Sequence, residues 1–175
     1  MDFNQLKFEK ILVLGSSGSG KSTFATKLGK KLGNEVIHLD RHFWKPNWTK
    51  PSREEWHQTN SELAQKPKWI IDGNFCNSLN LRMPHADTII YLDFPKFLCL
   101  YRVLIRRFKF STEPRPDMGE GCAERIDFEF LKYIWTFNQK IRPEIFESIK
   151  EHKKEKNLII LSGTKEVSNF LKAFG

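Results

Sequence analysis

Eight residues constrain this chain more than any others. Gly15-Ser16-Ser17-Gly18-Ser19-Gly20-Lys21-Ser22 satisfies GxxxxGK[ST] at every specified position. Glycine makes up about 7% of average protein, so a chance match in a chain of this length has a probability of about 0.6%. The flanks agree with the physics of the motif. Lys10–Leu14 is a short apolar run that reads as a buried strand, and Phe24, Ala25, Leu28 and Leu32 then recur at helical spacing through Ser22–Leu32. A strand that turns through glycines into a helix aims successive backbone N–H groups at one point, and the helix N-terminus adds positive potential. Such a turn cradles phosphate oxygens. Gly15, Ser16, Ser17, Gly18, Ser19, Gly20, Lys21, Ser22 and Thr23 are therefore the expected nucleotide-binding residues. Lys21 is expected to reach the β- and γ-phosphates, and the Ser22 hydroxyl to bind Mg²⁺.

The rest of the chain fits an α/β architecture. Glu35–Leu39, Trp69–Ile71, Thr88–Leu92 and Leu158–Leu161 are four further apolar runs, short, rich in β-branched residues and continuous rather than alternating. Strands covered by helices on both faces have that pattern. Helical spacing separates them at Pro51–Gln65, Pro95–Phe108, Glu124–Lys150 and Val167–Phe174. Ser52 followed by Glu55 predicts a capping box, and Pro143 predicts a kink or a split in the fourth helical stretch. The alternation predicts an α/β fold with a five-stranded parallel sheet and helices on both faces, in a single domain over residues 1–175. Arg41–Lys50 and Lys109–Ala123 resist this scheme and read as irregular binding segments. The first belongs to an acceptor-side insertion at about residues 41–67; the second is a candidate lid at about 109–123.

Composition narrows the class. With 15 Phe, 5 Trp and 3 Tyr the chain can build a packed core and is not disordered. No apolar run approaches the roughly 20 residues of a membrane span, and residues 1–10 lack a signal-peptide core, so a cytoplasmic protein with no membrane partner is expected. Cys76, Cys99 and Cys122 contain no CxxC pair and read as free thiols. None of the five histidines falls at metal-ligand spacing.

Several polar residues fall at strand ends or on one helix face. Asp72 follows the third strand, where a carboxylate can hold the water shell of Mg²⁺. Asp93, after the fourth strand, is the rival for that role or a helix cap. Arg102 and Arg106 are four residues apart and share a helix face, either toward phosphate or toward solvent. Arg115 and Arg125 bracket the candidate lid. Arg82 lies on the presumed acceptor side and is a candidate receptor for an acceptor anion. Phe43, Trp44 and Trp48 are either acceptor-pocket walls or the core of the insertion.

These motifs resemble those of the P-loop nucleotide and metabolite kinases, adenylate kinase in particular. Ile70-Ile71-Asp72-Gly73-Asn74-Phe75 looks like that family's acidic DG turn, with Asn74-Phe75 where its acceptor-site arginine stands. Leu92-Asp93-Phe94-Pro95, followed by Arg102 and Arg106, is similar to the helix that leads into its lid. Ser162-Gly163-Thr164-Lys165-Glu166-Val167 resembles its adenine-contacting loop, which assigns Gly163, Thr164 and Lys165 to nucleotide binding. The resemblance implies ATP and Mg²⁺ as cofactors and a small-molecule acceptor. It places Lys21, Arg102 and Arg106 at the transferring phosphate and Asp40 at the acceptor hydroxyl. A closer resemblance, carried by Leu39-Asp40, Phe43-Trp44, Pro46-Asn47-Trp48, Arg115-Pro116-Asp117-Met118 and Glu120-Gly121-Cys122, is to the FlaR-like "DNA topology modulation protein" family. That label implies a second reading, an ATP-dependent regulator of DNA topology without kinase activity. The net charge of +8 is compatible with direct DNA binding, but the chain carries no helix-turn-helix, zinc-finger or RRM signature.

Overall fold

A computed structural model describes residues 6–110, 117–119, 121–122, 126–152 and 156–174. The strands are β1 (Lys10–Gly15), β2 (Glu35–His38), β3 (Trp69–Asp72), β4 (Thr88–Leu92) and β5 (Asn157–Leu161). They form one sheet in the order β2-β3-β1-β4-β5, and every pairing is parallel. β1 is central, which puts the glycine-rich turn at the middle of the sheet's carboxyl edge. The register aligns Val13 with Asp72, and Asp72 in turn with His38. The acid after β3 is thus next to the phosphate-loop strand.

Alternation along β1 explains why the strands lack a polar face. Ile11 and Val13 join one apolar cluster with Phe24, Leu28, Val103 and Phe170. Leu12 and Leu14 join a second with Trp56, Ile71, Phe137 and Ile145. Helices α1 (Lys21–Leu32), α5 (Lys96–Lys109) and α7 (Thr164–Lys172) supply the first layer; α3 (Arg53–Gln65) and α6 (Phe128–Glu151) supply the second. With both faces covered, β1, β3 and β4 are buried at almost every position.

The helix ends follow from capping chemistry. At α3, Ser52 Oγ accepts from Glu55 N at 3.1 Å, and the Glu55 carboxylate accepts from Ser52 N at 2.8 Å, the reciprocal box that the sequence predicts. At α6, Asp127 Oδ1 accepts from Phe130 N at 2.8 Å, so the helix starts at Phe128. α6 is not split at Pro143. It continues to Glu151 because Ile145 and Ile149 beyond the proline are buried on the sheet. Packing of an apolar face outweighs the one lost backbone bond.

One expectation about the connections is corrected. Arg41–Lys50 is not irregular throughout: α2 (Leu39–Phe43) occupies its start, and a tight loop closed by the Lys45–Thr49 bridge occupies the rest. Asp40 accordingly sits in the first turn of α2, a favourable place for a carboxylate, rather than at a strand end. In the candidate lid, Met118 and Cys122 are buried. The Cys122 thiol donates to Lys45 O at 3.2 Å, and Gly119 abuts the Trp44 carbonyl so closely that a Cβ there would overlap it. The described part of the lid is a strap seated on the insertion. A four-residue helix, α4 (Leu79–Arg82), packs against α3.

Candidate functional site

The phosphate loop owes its shape to glycines at Gly15 and Gly18. Gly15 has φ +141°, and a Cβ on it would stand 2.6 Å from Leu92 O. Gly18 has φ +82° and lies against the Cys99 carbonyl at the start of α5, leaving no room for a side chain. The loop is also held from outside. Asn74 pairs with both backbone groups of Gly15, accepting from its N at 3.1 Å and donating to its O at 2.9 Å. Arg102 donates to Ser19 O at 3.2 Å, its guanidinium lying over the Phe94 ring. Lys21 folds back and donates to Gly15 O and Ser16 O at 2.9 and 3.0 Å. Burial pushes the Lys21 pKa down, against the opposing charges of Asp72 and Asp40.

The loop opens into a cleft of about 1650 Å³. Ser17 to Thr23 line it, and so do Asp40, Asp72, Arg102, Arg106 and Thr164. Trp44 and Trp48 form part of its far wall. The structure therefore brings the phosphate loop, both candidate carboxylates, both helix arginines and the two tryptophans to one space. Gly163 and Lys165 flank Thr164 at the start of α7 without lining the cleft. Arg115 and Arg125 lie outside the described residues.

Two candidates are placed elsewhere. Arg82 is fully buried and does not line the cleft. It donates to Asn60 Oδ1 at 3.0 Å and to Asn74 O at 2.7 Å, and burial lowers its pKa. It holds the residue that holds Gly15, which is not the placement of an acceptor-anion receptor. Asp93 is tied to Arg142 at 3.0 Å and also faces away from the cleft. Of the two rival acids, Asp72 is the one at the phosphate loop.

The sequence reading left out three cleft residues. His38 Nδ1 is 2.7 Å from Asp72 Oδ1. Burial disfavours its charge, but the hydrogen bond and charge of Asp72 prevail and raise its pKa. Tyr133, reaching in from α6, is 3.5 Å from Asn74 Nδ2, and burial pushes its pKa up to about 12. Asn74 is the third. His38 had a legible signal, since it lies two residues before Asp40 at a strand end. Tyr133 had none, because the contact depends on how α6 crosses the sheet.

The donors present suit Mg²⁺. Ser22 and Asp72 offer hard oxygen ligands beside a phosphate cradle, and no cluster of three or more His, Cys, Asp or Glu competes among the described residues. That is the pattern for an ion carried largely by phosphate oxygens and water.

Solved structures share this architecture. Shikimate kinase from Acinetobacter baumannii, in complex with shikimate, superposes with a TM-score of 0.60 at 16% identity, over 98% of this chain and 92% of that one. The fold is that of the P-loop kinases. A gluconokinase from Sinorhizobium meliloti gives 0.54 at 13% identity, over 97% of this chain and 91% of that one. A sugar kinase from Janibacter gives 0.50 at 15% identity, over 95% and 94%. At these identities the likeness is one of fold. Among curated proteins, the uncharacterized protein YqaC of Bacillus subtilis (strain 168) is 29% identical over 105 residues, which span 58% of this chain and 58% of that relative. No protein-family model matches the chain.

Proposed function

We propose that this protein is an ATP-dependent phosphotransferase that moves the γ-phosphoryl group to a hydroxyl of a small molecule. The observation that carries the reading is the meeting, in one cleft, of a complete phosphate loop with Asp72, Asp40, Arg102 and Arg106. The kinase folds that superpose on the chain support it. In the reaction the acceptor oxygen bonds to the γ-phosphorus, the bond to the β,γ-bridging oxygen breaks, and ADP leaves with that electron pair. In this reading Asp40 takes the hydroxyl proton. The N–H groups of Ser17 to Ser22 bind the phosphates, and Lys21 exchanges its loop carbonyls for phosphate oxygens. Arg102 and Arg106 face charge that builds up during transfer. Ser22 would ligate Mg²⁺ directly and Asp72 through water; the ion would neutralise phosphate charge.

The test is ADP release from ATP and Mg²⁺ across a panel of hydroxyl acceptors, with Lys21→Ala as control. Acceptor-dependent ADP release that the variant abolishes supports the proposal. ADP release that ignores every acceptor but rises with added DNA would favour instead the regulator of DNA topology. The resemblance to the FlaR-like proteins fits either outcome.

A further inference from the structure

We infer that the acceptor site takes an uncharged, nucleoside-like molecule, a flat heteroaromatic ring that carries hydroxyl groups. The inference rests on the phosphotransferase reading for the reaction, but its evidence lies in the far wall of the cleft. There an unbroken series of rings runs outward from the core. Trp56, Phe43 and Phe75 pack on one another with centroids 4.7–4.9 Å apart. Phe43 contacts Trp44 at 4.8 Å, and Trp44 contacts Trp48 at 5.1 Å. Trp56 is buried and does the structural work of an aromatic core, whereas Trp44 and Trp48 end the series half-exposed on the cleft.

The backbone at that end is costly. Asn47 and Trp48 both have positive φ, 60° and 59°. A bulky residue rarely adopts that conformation, and it persists only where its surroundings enforce it. The enforcing contacts are visible. Lys45 N donates to Thr49 O at 3.0 Å, and the strap residues Gly119, Gly121 and Cys122 sit on Trp44, Pro46 and Lys45. Two elements distant in sequence thus cooperate to hold an indole at a position where glycine would be the relaxed choice. A rigid, pre-positioned aromatic face is what a planar base requires, because every base has a π-face to stack.

The charges near the two tryptophans, among the described residues, give an anion no added preference there. Among the described residues of the acceptor end, Arg41 and Lys50 are offset by Asp40 and Asp117, and Lys50 lies over the Trp44 ring at 5.8 Å. Arg82, the one cation built into the acceptor-side interior, is turned away into the core. A sugar acid or a nucleoside monophosphate would bring negative charge to a balanced wall, whereas a neutral nucleoside needs only the stack and acceptors for its hydroxyls, which Asp40 and Asp117 supply.

The test is calorimetric titration of the full chain, loaded with Mg²⁺ and a non-hydrolysable ATP analogue. The titrants are nucleosides, their 5′-monophosphates, shikimate and gluconate; ADP release is measured in parallel with ATP. At least one nucleoside should bind more tightly than its monophosphate and than either acid. Trp48→Gly, which relaxes the backbone as it deletes the ring, should weaken that binding by about tenfold, the scale of one base–aromatic stack, and Trp48→Phe should restore most of it. Failure of every nucleoside to bind, tighter binding of an acid or a monophosphate, or indifference to Trp48→Gly would overturn the inference. The two arms separate the claims. Nucleoside binding without ADP release from any compound would sink the phosphotransferase reading and keep this one. ADP release with gluconate and no nucleoside binding would do the reverse.

Discussion

Arg82 shows how one buried side chain can serve a site that it never touches. Its guanidinium fixes the Asn74 carbonyl, and the Asn74 amide fixes both backbone groups of Gly15. Arg82→Met should leave Asn60 Oδ1 and Asn74 O short of a donor and cost about 2 kcal/mol in chemical denaturation. Arg82→Lys should rescue little, because the fork and not the charge spans the two acceptors. Full stability in the Lys variant would return Arg82 to the role of a simple cation. A sequence shows an arginine near an acceptor loop; it does not show burial, so the side chain's direction was illegible. His38 offers a pH signature. Burial opposes its charge, Asp72 more than compensates, and its folded pKa is raised above 6.5. A raised histidine stabilises the fold fully below the unfolded pKa and loses that contribution as pH rises through the folded one. The stability gap between the wild type and His38→Gln should therefore be widest at about pH 5–6 and shrink as pH rises further. A gap that widens with pH would mean that the neutral imidazole is the stabilising form.

At the scale of elements, most of the sheet and the phosphate loop were readable because each rests on a local rule. Continuous β-branched runs mark strands with no polar face, and Ser52 with Glu55 marks a helix start through two short hydrogen bonds. Where several elements compete, local rules stop. Leu39–Phe43 is helical because buried Leu39 anchors a short turn beneath the cleft, and α6 passes Pro143 because its far half is packed. That α5 turns Arg102 and Arg106 toward phosphate was legible from their spacing and the family resemblance, but its backbone docking on the loop was not: Gly18 meets the Cys99 backbone, and Arg102 meets Ser19 O. Gly18→Ala tests that contact. The new methyl would strain a positive φ and push α5 off the loop. Thermal stability and ATP affinity should fall together. A loss of ATP affinity alone would mean that α5 does not brace the loop.

At the scale of the whole molecule, the strap meets the part of the cleft that the proposed reaction gives to the acceptor. Its described residues rest on Trp44, Pro46 and Lys45, and of these Trp44 lines the cleft. Under the proposed phosphotransfer, closure at this place would act on the acceptor, the side from which water must be excluded before transfer begins. Gly119→Ala separates the two functions. Its methyl would collide with the Trp44 carbonyl, a backbone group that cannot swing aside, so the strap must lift. The phosphate loop lies beyond that contact and keeps its glycines, Asn74 and Arg102. The variant should therefore bind ATP as the wild type does, exchange amide hydrogens faster at Met118, Gly119 and Cys122, and show a higher KM for the acceptor with more ADP released to water. Unchanged exchange at these amides would mean that the strap relaxes locally without leaving the wall. An equal loss of ATP affinity would mean that the strap governs the nucleotide end as well.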